Sequence, residues 1–165
     1  MTPLRTLKHL VLPHWLVKRA FPAATLTAIE QAVTASEKQH TGELRFVTEG
    51  SLPWESLWQR QTPRQRAVDL FSQLRVWDTE HNSGILIYVQ WVDRAVEILA
   101  DRGIAARVPQ AEWDAICREM EAAFKRDDYR GGALAAIERA SKLLTEHFPM
   151  THGDRNELSD KPLVI

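Results

Sequence analysis

The stretch "HNSGILIYVQWVDRAVEILADRG", residues 81–103, constrains the fold more than any other part of the chain. Ile85 to Val92 and Ala95 to Asp101 are apolar runs of strand length. Asp93-Arg94 is too brief a link for anything but an antiparallel hairpin. A two-residue turn sets Gln90 opposite Glu97 and Leu86 opposite Asp101. One face then presents Ile85, Ile87, Val89 and Trp91 beside Val96, Ile98 and Ala100. The other mixes Leu86, Tyr88 and Leu99 with Gln90, Glu97 and Asp101. Asp-Arg is not a favoured two-residue turn, and a one-residue slip exchanges every partner. The register therefore stays open, while the alternation within each strand does not.

The remaining elements fall around this hairpin. "TLTAIEQAVTASEKQH" has Thr27 and Glu30 at capping-box spacing, with Leu26, Ile29 and Val33 on one helical face. "GELRFVTEG" alternates as a strand, Leu44 and Phe46 pointing one way and Glu43, Arg45 and Val47 the other. "GSLPWESLWQRQ" reads as a loop carrying Trp54 and Trp58. Thr62-Pro63 opens a helix whose core face is Ala67, Leu70, Phe71, Leu74 and Trp77. Two further helices follow Pro109 and Gly131, with Trp113, Ile116, Met120 and Phe124, then Leu134, Ile137, Leu144 and Phe148, turned inward. Strand, helix, strand implies a crossover that makes strands 43–49 and 85–92 parallel. The expected fold is a three-layer α/β/α sandwich with a small mixed β-sheet covered by helices on both faces. The chain divides into a basic amphipathic segment over 1–22, the α/β domain over 23–150, and a polar tail over 151–165 that ends in the apolar "PLVI".

Charge and cysteine content narrow the function classes. With 21 Lys and Arg against 22 Asp and Glu, there is no general attraction to nucleic acid, and no basic stripe with interleaved aromatics marks a local site. Cys117 is the single cysteine, so no intramolecular disulfide forms. Its place on an apolar helix face reads as a buried, inert thiol. No stretch approaches the roughly 20 apolar residues of a membrane span. Residues 3–21 carry Arg5, Lys8, Lys18 and Arg19 and no acid. Leu4, Leu7, Val11, Trp15 and Leu16 recur there at helical spacing, with Pro13 expected to kink the segment. The expectation is a cytoplasmic protein, either packing this element on its own domain or using residues 1–21 against a partner or an anionic membrane.

Four stretches in order carry a resemblance: "HTGELRFVTEGSLPW", then "AVDLFSQLRVWDTEHNSGILIYVQWVDRAVEILADRGI", then "WDAICREM" with "FKRDDYRGG", and the tail "NELSDKPLVI". They resemble the TPM domain family, named in part for a thylakoid-lumen phosphatase-like protein, over roughly residues 23 to 165. The resemblance implies an α/β/α sandwich. It also implies acid-phosphatase-like activity in plastid members, divalent-cation binding in some bacterial members, and support of membrane-protein complexes, often beside LemA-type membrane proteins. This chain departs from the family where an Asn-Gly usually leads the central strand: the pair here is Ser83-Gly84, preceded by Asn82.

Two sheet rims collect the residue types that do chemistry. Asp78, Glu80, Asn82 and Asp101 supply carboxylate and amide oxygens suited to a hard cation such as Ca²⁺ or Mg²⁺, with Arg102 beside them. At the carboxyl ends of the parallel strands, where ligands of open α/β sheets bind, Glu49, Asp93 and Arg94 gather near Trp54 and Trp58. Glu43, Arg45 and Glu97 alternate onto one sheet face and, with Arg102, form a candidate ion-pair or anion site. No nucleophile elbow, phosphate-binding glycine loop, aspartate-nucleophile pair or His-Glu-x-x-His is present. The favoured reading is a binding or accessory module with a protein partner, docked at the membrane. The alternative is a metal-assisted phosphomonoester hydrolase.

Overall fold

The computed structural model describes residues 3–12, 15–150 and 156–165. Pro13 and the side chain of Leu4 lie outside the described residues. A mixed sheet forms the middle layer. β1 (Glu43–Glu49) pairs parallel with β2 (Gly84–Gln90), from Glu43 opposite Gly84 to Glu49 opposite Gln90. β3 (Ala95–Ala100) runs antiparallel along the far side of β2. The tail contributes β4 (Leu163–Val164), parallel to β1, so the order is β3-β2-β1-β4. The apolar "PLVI" end is thus part of the sheet, where the sequence suggested only a polar tail with a sticky terminus.

The hairpin register differs from the expected one. Gln90 pairs with Ala95, Tyr88 with Glu97 and Leu86 with Leu99, leaving residues 91–94 as the turn. A two-residue turn of the hairpin type needs left-handed backbone, and here only Arg94 adopts it, at φ 53°. Gln90 templates the longer turn instead: its buried Oε1 accepts from the N–H groups of Val92 at 2.9 Å and Asp93 at 3.2 Å. The shift spans two residues, so every side chain keeps the face that alternation assigned to it. Asp101 falls outside β3 and caps α6 (Arg102–Ala105).

Helices cover the sheet unequally. Leu44, Phe46, Ile85, Ile87, Val89, Val96 and Ile98 pack under α3 (Ala23–Glu37), α7 (Gln110–Phe124) and α8 (Tyr129–His147). Trp113, Ile116, Met120, Ile137 and Leu144 complete this larger core, each buried apolar side chain contributing roughly 1.5–3 kcal/mol. Val47, Leu86, Tyr88 and Leu99 face α5 (Pro63–Gln73) through Ala67 and Leu70. The capping box belongs to α5, where Thr62 and Gln65 bond reciprocally ahead of Pro63. It does not lie at Thr27–Glu30, because α3 already begins at Ala23 behind Pro22. Trp77, expected inward, follows the end of α5 and is half exposed. Trp54–Trp58 is a short helix, α4, rather than loop. The edge of β3 is closed by side chains: Val96 N–H donates to Glu121, and Arg64 donates to the Ile98 carbonyl.

Two amino-terminal helices, α1 (Pro3–Val11) and α2 (Trp15–Ala20), lie beside the turn after β2. Val17 and Phe21 plug into the larger core, Phe21 between Phe46 and Phe124.

Gly84 marks the tightest approach in the fold. A Cβ built there would lie 1.8 Å from the Val76 carbonyl oxygen, a backbone atom that cannot swing aside. Gly84→Ala is expected to lower stability by at least about 2 kcal/mol, measured by urea unfolding. An unchanged midpoint would show that the 76–84 connection is free to move.

Candidate functional site

The rim at the start of β2 brings Asn82, Asp101 and Arg102 together. Asn82 holds left-handed backbone at φ 51°, and its Oδ1 accepts from Arg102 Nε at 2.8 Å. Asp101 Oδ1 accepts from the Arg102 N–H at 2.7 Å, while its Oδ2 is buried without a hydrogen bond. Asp78 and Glu80 are exposed, and the Glu80 N–H donates to the Glu157 carboxylate at 3.1 Å. Among the described residues, no three His, Cys, Asp or Glu side chains gather as a ligand set.

The candidate ion-pair residues are separated by what each one holds. Glu43 accepts from the Glu157 and Leu158 N–H groups at 3.1 and 3.0 Å. Arg45 donates to the Ser159 carbonyl and, at 2.8 Å, to that of Lys161. Both therefore fasten the tail alongside β1. Glu97 pairs with Arg64 at 3.4 Å, and Arg102 serves Asn82. The shared sheet face was read correctly, but the partners come from elements far away in sequence.

The carboxyl rim holds the two Arg–carboxylate pairs that are least exposed among the described residues. Glu49 is buried and accepts two-pronged from Arg66 of α5, the closest contact being 2.7 Å. The Tyr88 hydroxyl donates to Glu49 Oε2 at 2.5 Å, and burial together with that carboxylate pushes the phenol up. Asp93 accepts from Arg5 at 2.6–2.9 Å and lies 3.2 Å from His9 Nε2. The Leu52 N–H donates to His9 Nδ1 at 3.0 Å, so Nε2 carries the proton and donates to Asp93. Burial pushes the Asp93 carboxyl up, but the His9 and Arg5 bonds more than offset it and hold it at about 2. Arg94 is exposed. Trp54 and Trp58 lie against each other, 6.1 Å between ring centres, and are 59% and 76% exposed, so neither packs as core.

Three features escaped the sequence reading. Burial pushes the Glu37 carboxyl up to about 9, the Leu44 N–H opposing this and the charges of Glu43 and Asp160 reinforcing it. It joins Asp160 and Asn156 in tying the tail to α3. A groove of about 540 Å³ opens beside Trp91, lined by Arg19, Asp127, Asp128, Tyr129 and Arg130. "DDYRGG" was its signal, with Asp128 capping α8 through the Gly131 N–H at 2.9 Å. The third is Arg5–Asp93–His9, 84 or more residues apart in sequence. Cys117, expected to be buried, is half-buried, and desolvation pushes its thiol up to about 12.

Comparison with known proteins places this geometry. The TPM domain model matches residues 18–143. The chain is similar to the NMR structure of the BA42 protein from the psychrophilic bacterium Bizionia argentinensis, at 29% identity and a TM-score of 0.76. That match covers 87% of this chain and 94% of the other. No curated protein matches the sequence.

The Asp93 network ties α1 to the sheet, which sets a pH dependence. Its folded value lies below the ordinary 3.8, so the stabilisation is present above about pH 4 and lost as pH falls toward 2. Asp93→Asn should reproduce the loss at neutral pH, reducing α1 amide protection in hydrogen exchange by about 2 kcal/mol. Equal protection in the variant would mean that α1 is held by apolar contact alone.

Proposed function

Because the chain belongs to the TPM domain family, we propose that it is a non-catalytic binding module that docks on a protein partner at a membrane. The observation that carries this reading is the direction in which α1 faces. Arg5 and His9, four residues apart on one helical face, turn inward to Asp93. Leu7, Leu10 and Val11 consequently point outward, each more than half exposed, as is Trp15. A helix packed as ordinary core presents the opposite orientation. Leu7 and Val11 line one groove with Trp91, so this exposure is more than scattered side chains.

The rim carboxylates support the same reading. Glu49, Asp93 and Glu43 are each committed to two or more hydrogen bonds from the chain itself. A general acid or base needs a proton-transfer atom free to meet substrate. Among the described residues no helix is long and apolar enough to cross a membrane, so attachment would run through a partner or a surface. A LemA-type membrane protein, co-expressed and detergent-solubilised, is the first partner to test. The full chain should co-purify with a membrane protein, and Leu10→Glu with Trp15→Glu should abolish this without changing the melting temperature. Capture of no membrane protein, or capture indifferent to both substitutions, overturns the reading.

One observation favours a second reading, a bound divalent cation at the first rim: the buried, unpartnered Asp101 Oδ2. Asn82, whose Oδ1 accepts from Arg102, is the neighbouring oxygen donor, and Asp78 and Glu80 are exposed on the segment before it, so an ion of the Ca²⁺ or Mg²⁺ type would have to draw them in. Calorimetric titration of either ion should give saturable heat and a rise in melting temperature, both lost in Asp101→Asn. A metal-dependent phosphomonoesterase assay then follows. Absence of both signals removes the cation and, with it, the hydrolase.

A further inference from the structure

We propose that the groove between α1 and the β2–β3 turn takes an anionic phospholipid and lays α1 and α2 on a negatively charged membrane surface. The inference rests on the reading of the chain as a membrane-docking module and names the surface it would meet. The groove has a volume of about 660 Å³, within the range of small-molecule sites. Its walls are apolar, from Leu7, Val11, Leu12 and Trp91, and Lys8 and Arg94 flank them. Apolar wall and cationic edge together match an acyl chain joined to a phosphate headgroup.

Charge decides between lipid and other occupants. Asp93 is the one acid lining the groove, and its carboxylate is already matched by Arg5 in two-pronged contact and by His9. Lys8 and Arg94 are exposed and have no carboxylate partner among the described ion pairs, so the groove is left positive. Lys18 extends this charge along α2, and residues 3–21 contain no acid, although Arg19 shares its groove with Asp127 and Asp128. A helix with apolar side chains turned outward and Lys8 at its border, Arg94 across the groove, and a following helix that opens on Trp15 have the chemistry of an interfacial segment. Trp15, 58% exposed, suits the headgroup level, where an indole buries its ring and keeps its N–H wet. A second copy of this chain would have to set Lys8 and Arg94 against their own kind or bring acids that the segment lacks. Packing of the helix against its own domain cannot cover the outward face, because Arg5 and His9 hold it turned away.

The test is sedimentation of the full chain with two vesicle preparations, phosphatidylcholine alone and phosphatidylcholine with about one-third phosphatidylglycerol. Binding is expected only to the anionic vesicles and is expected to weaken as salt rises. Lys8→Glu with Arg94→Glu should reduce it by at least about tenfold. Leu7→Ser with Val11→Ser should also weaken it, and both double variants should keep the parent melting temperature. Equal binding to neutral vesicles, no binding to either, or indifference to the charge reversal overturns the proposal. So does light scattering that shows a dimer dissolved by Leu7→Ser with Val11→Ser. Loss of vesicle binding in a chain that still captures its membrane-protein partner would sink the lipid site and leave the module reading intact.

Discussion

β2 is buried along all seven of its residues, between β1 and β3 at its sides and helices on both faces, and the rest of the molecule is arranged around that burial. A strand with no wet side must be apolar where it can be, and any polar group it carries must find a partner inside. Tyr88 and Gln90 are the two polar exceptions. Tyr88 meets Glu49, whose burial in turn calls for the guanidinium of Arg66 and so locks α5 in place. Gln90 donates to the Gly50 carbonyl at 2.9 Å and accepts from the turn that begins β3. Its first residue, Gly84, lets the chain return against the Val76 backbone.

The same logic accounts for the charges around the sheet. Several fasten segments whose own apolar surface does not hold them to the core: Asp93 for α1, and Glu43, Arg45 and Glu37 for the tail before β4. The fastening of α1 also sets its orientation. A helix gripped by its polar face must show its apolar face to the outside, so one half-buried carboxylate both anchors the segment and orients its apolar side chains.

Much of this was legible in the sequence. Period-two alternation assigned Leu44 and Phe46 to one core and Val47 to the other. Helical spacing assigned Trp113, Ile116, Met120 and Phe124 inward. These assignments survived a register error in the hairpin because alternation depends only on the strand's own geometry. What failed was whatever needed a second segment. Thr27 and Glu30 had capping spacing but sat inside a helix that Pro22 had already opened. Trp77 had the right spacing for α5, yet the helix stopped at Gln73. "PLVI" looked free because a two-residue strand has no pattern of its own.

The candidate sites divide the same way. Which residues could do chemistry, and the overall α/β layering with parallel β1 and β2, follow from composition, alternation and chain order. The sequence determined these because each is a local property of a segment or of its immediate neighbours. Which carboxylate meets which cation was decided only by the tertiary structure. Arg5 and Asp93, Glu49 and Arg66, and Arg45 and the tail carbonyls are joined across distances in sequence that carry no periodic signal. Their pairing depends on where packed layers bring side-chain ends within about 3 Å, a condition that only the folded chain can meet.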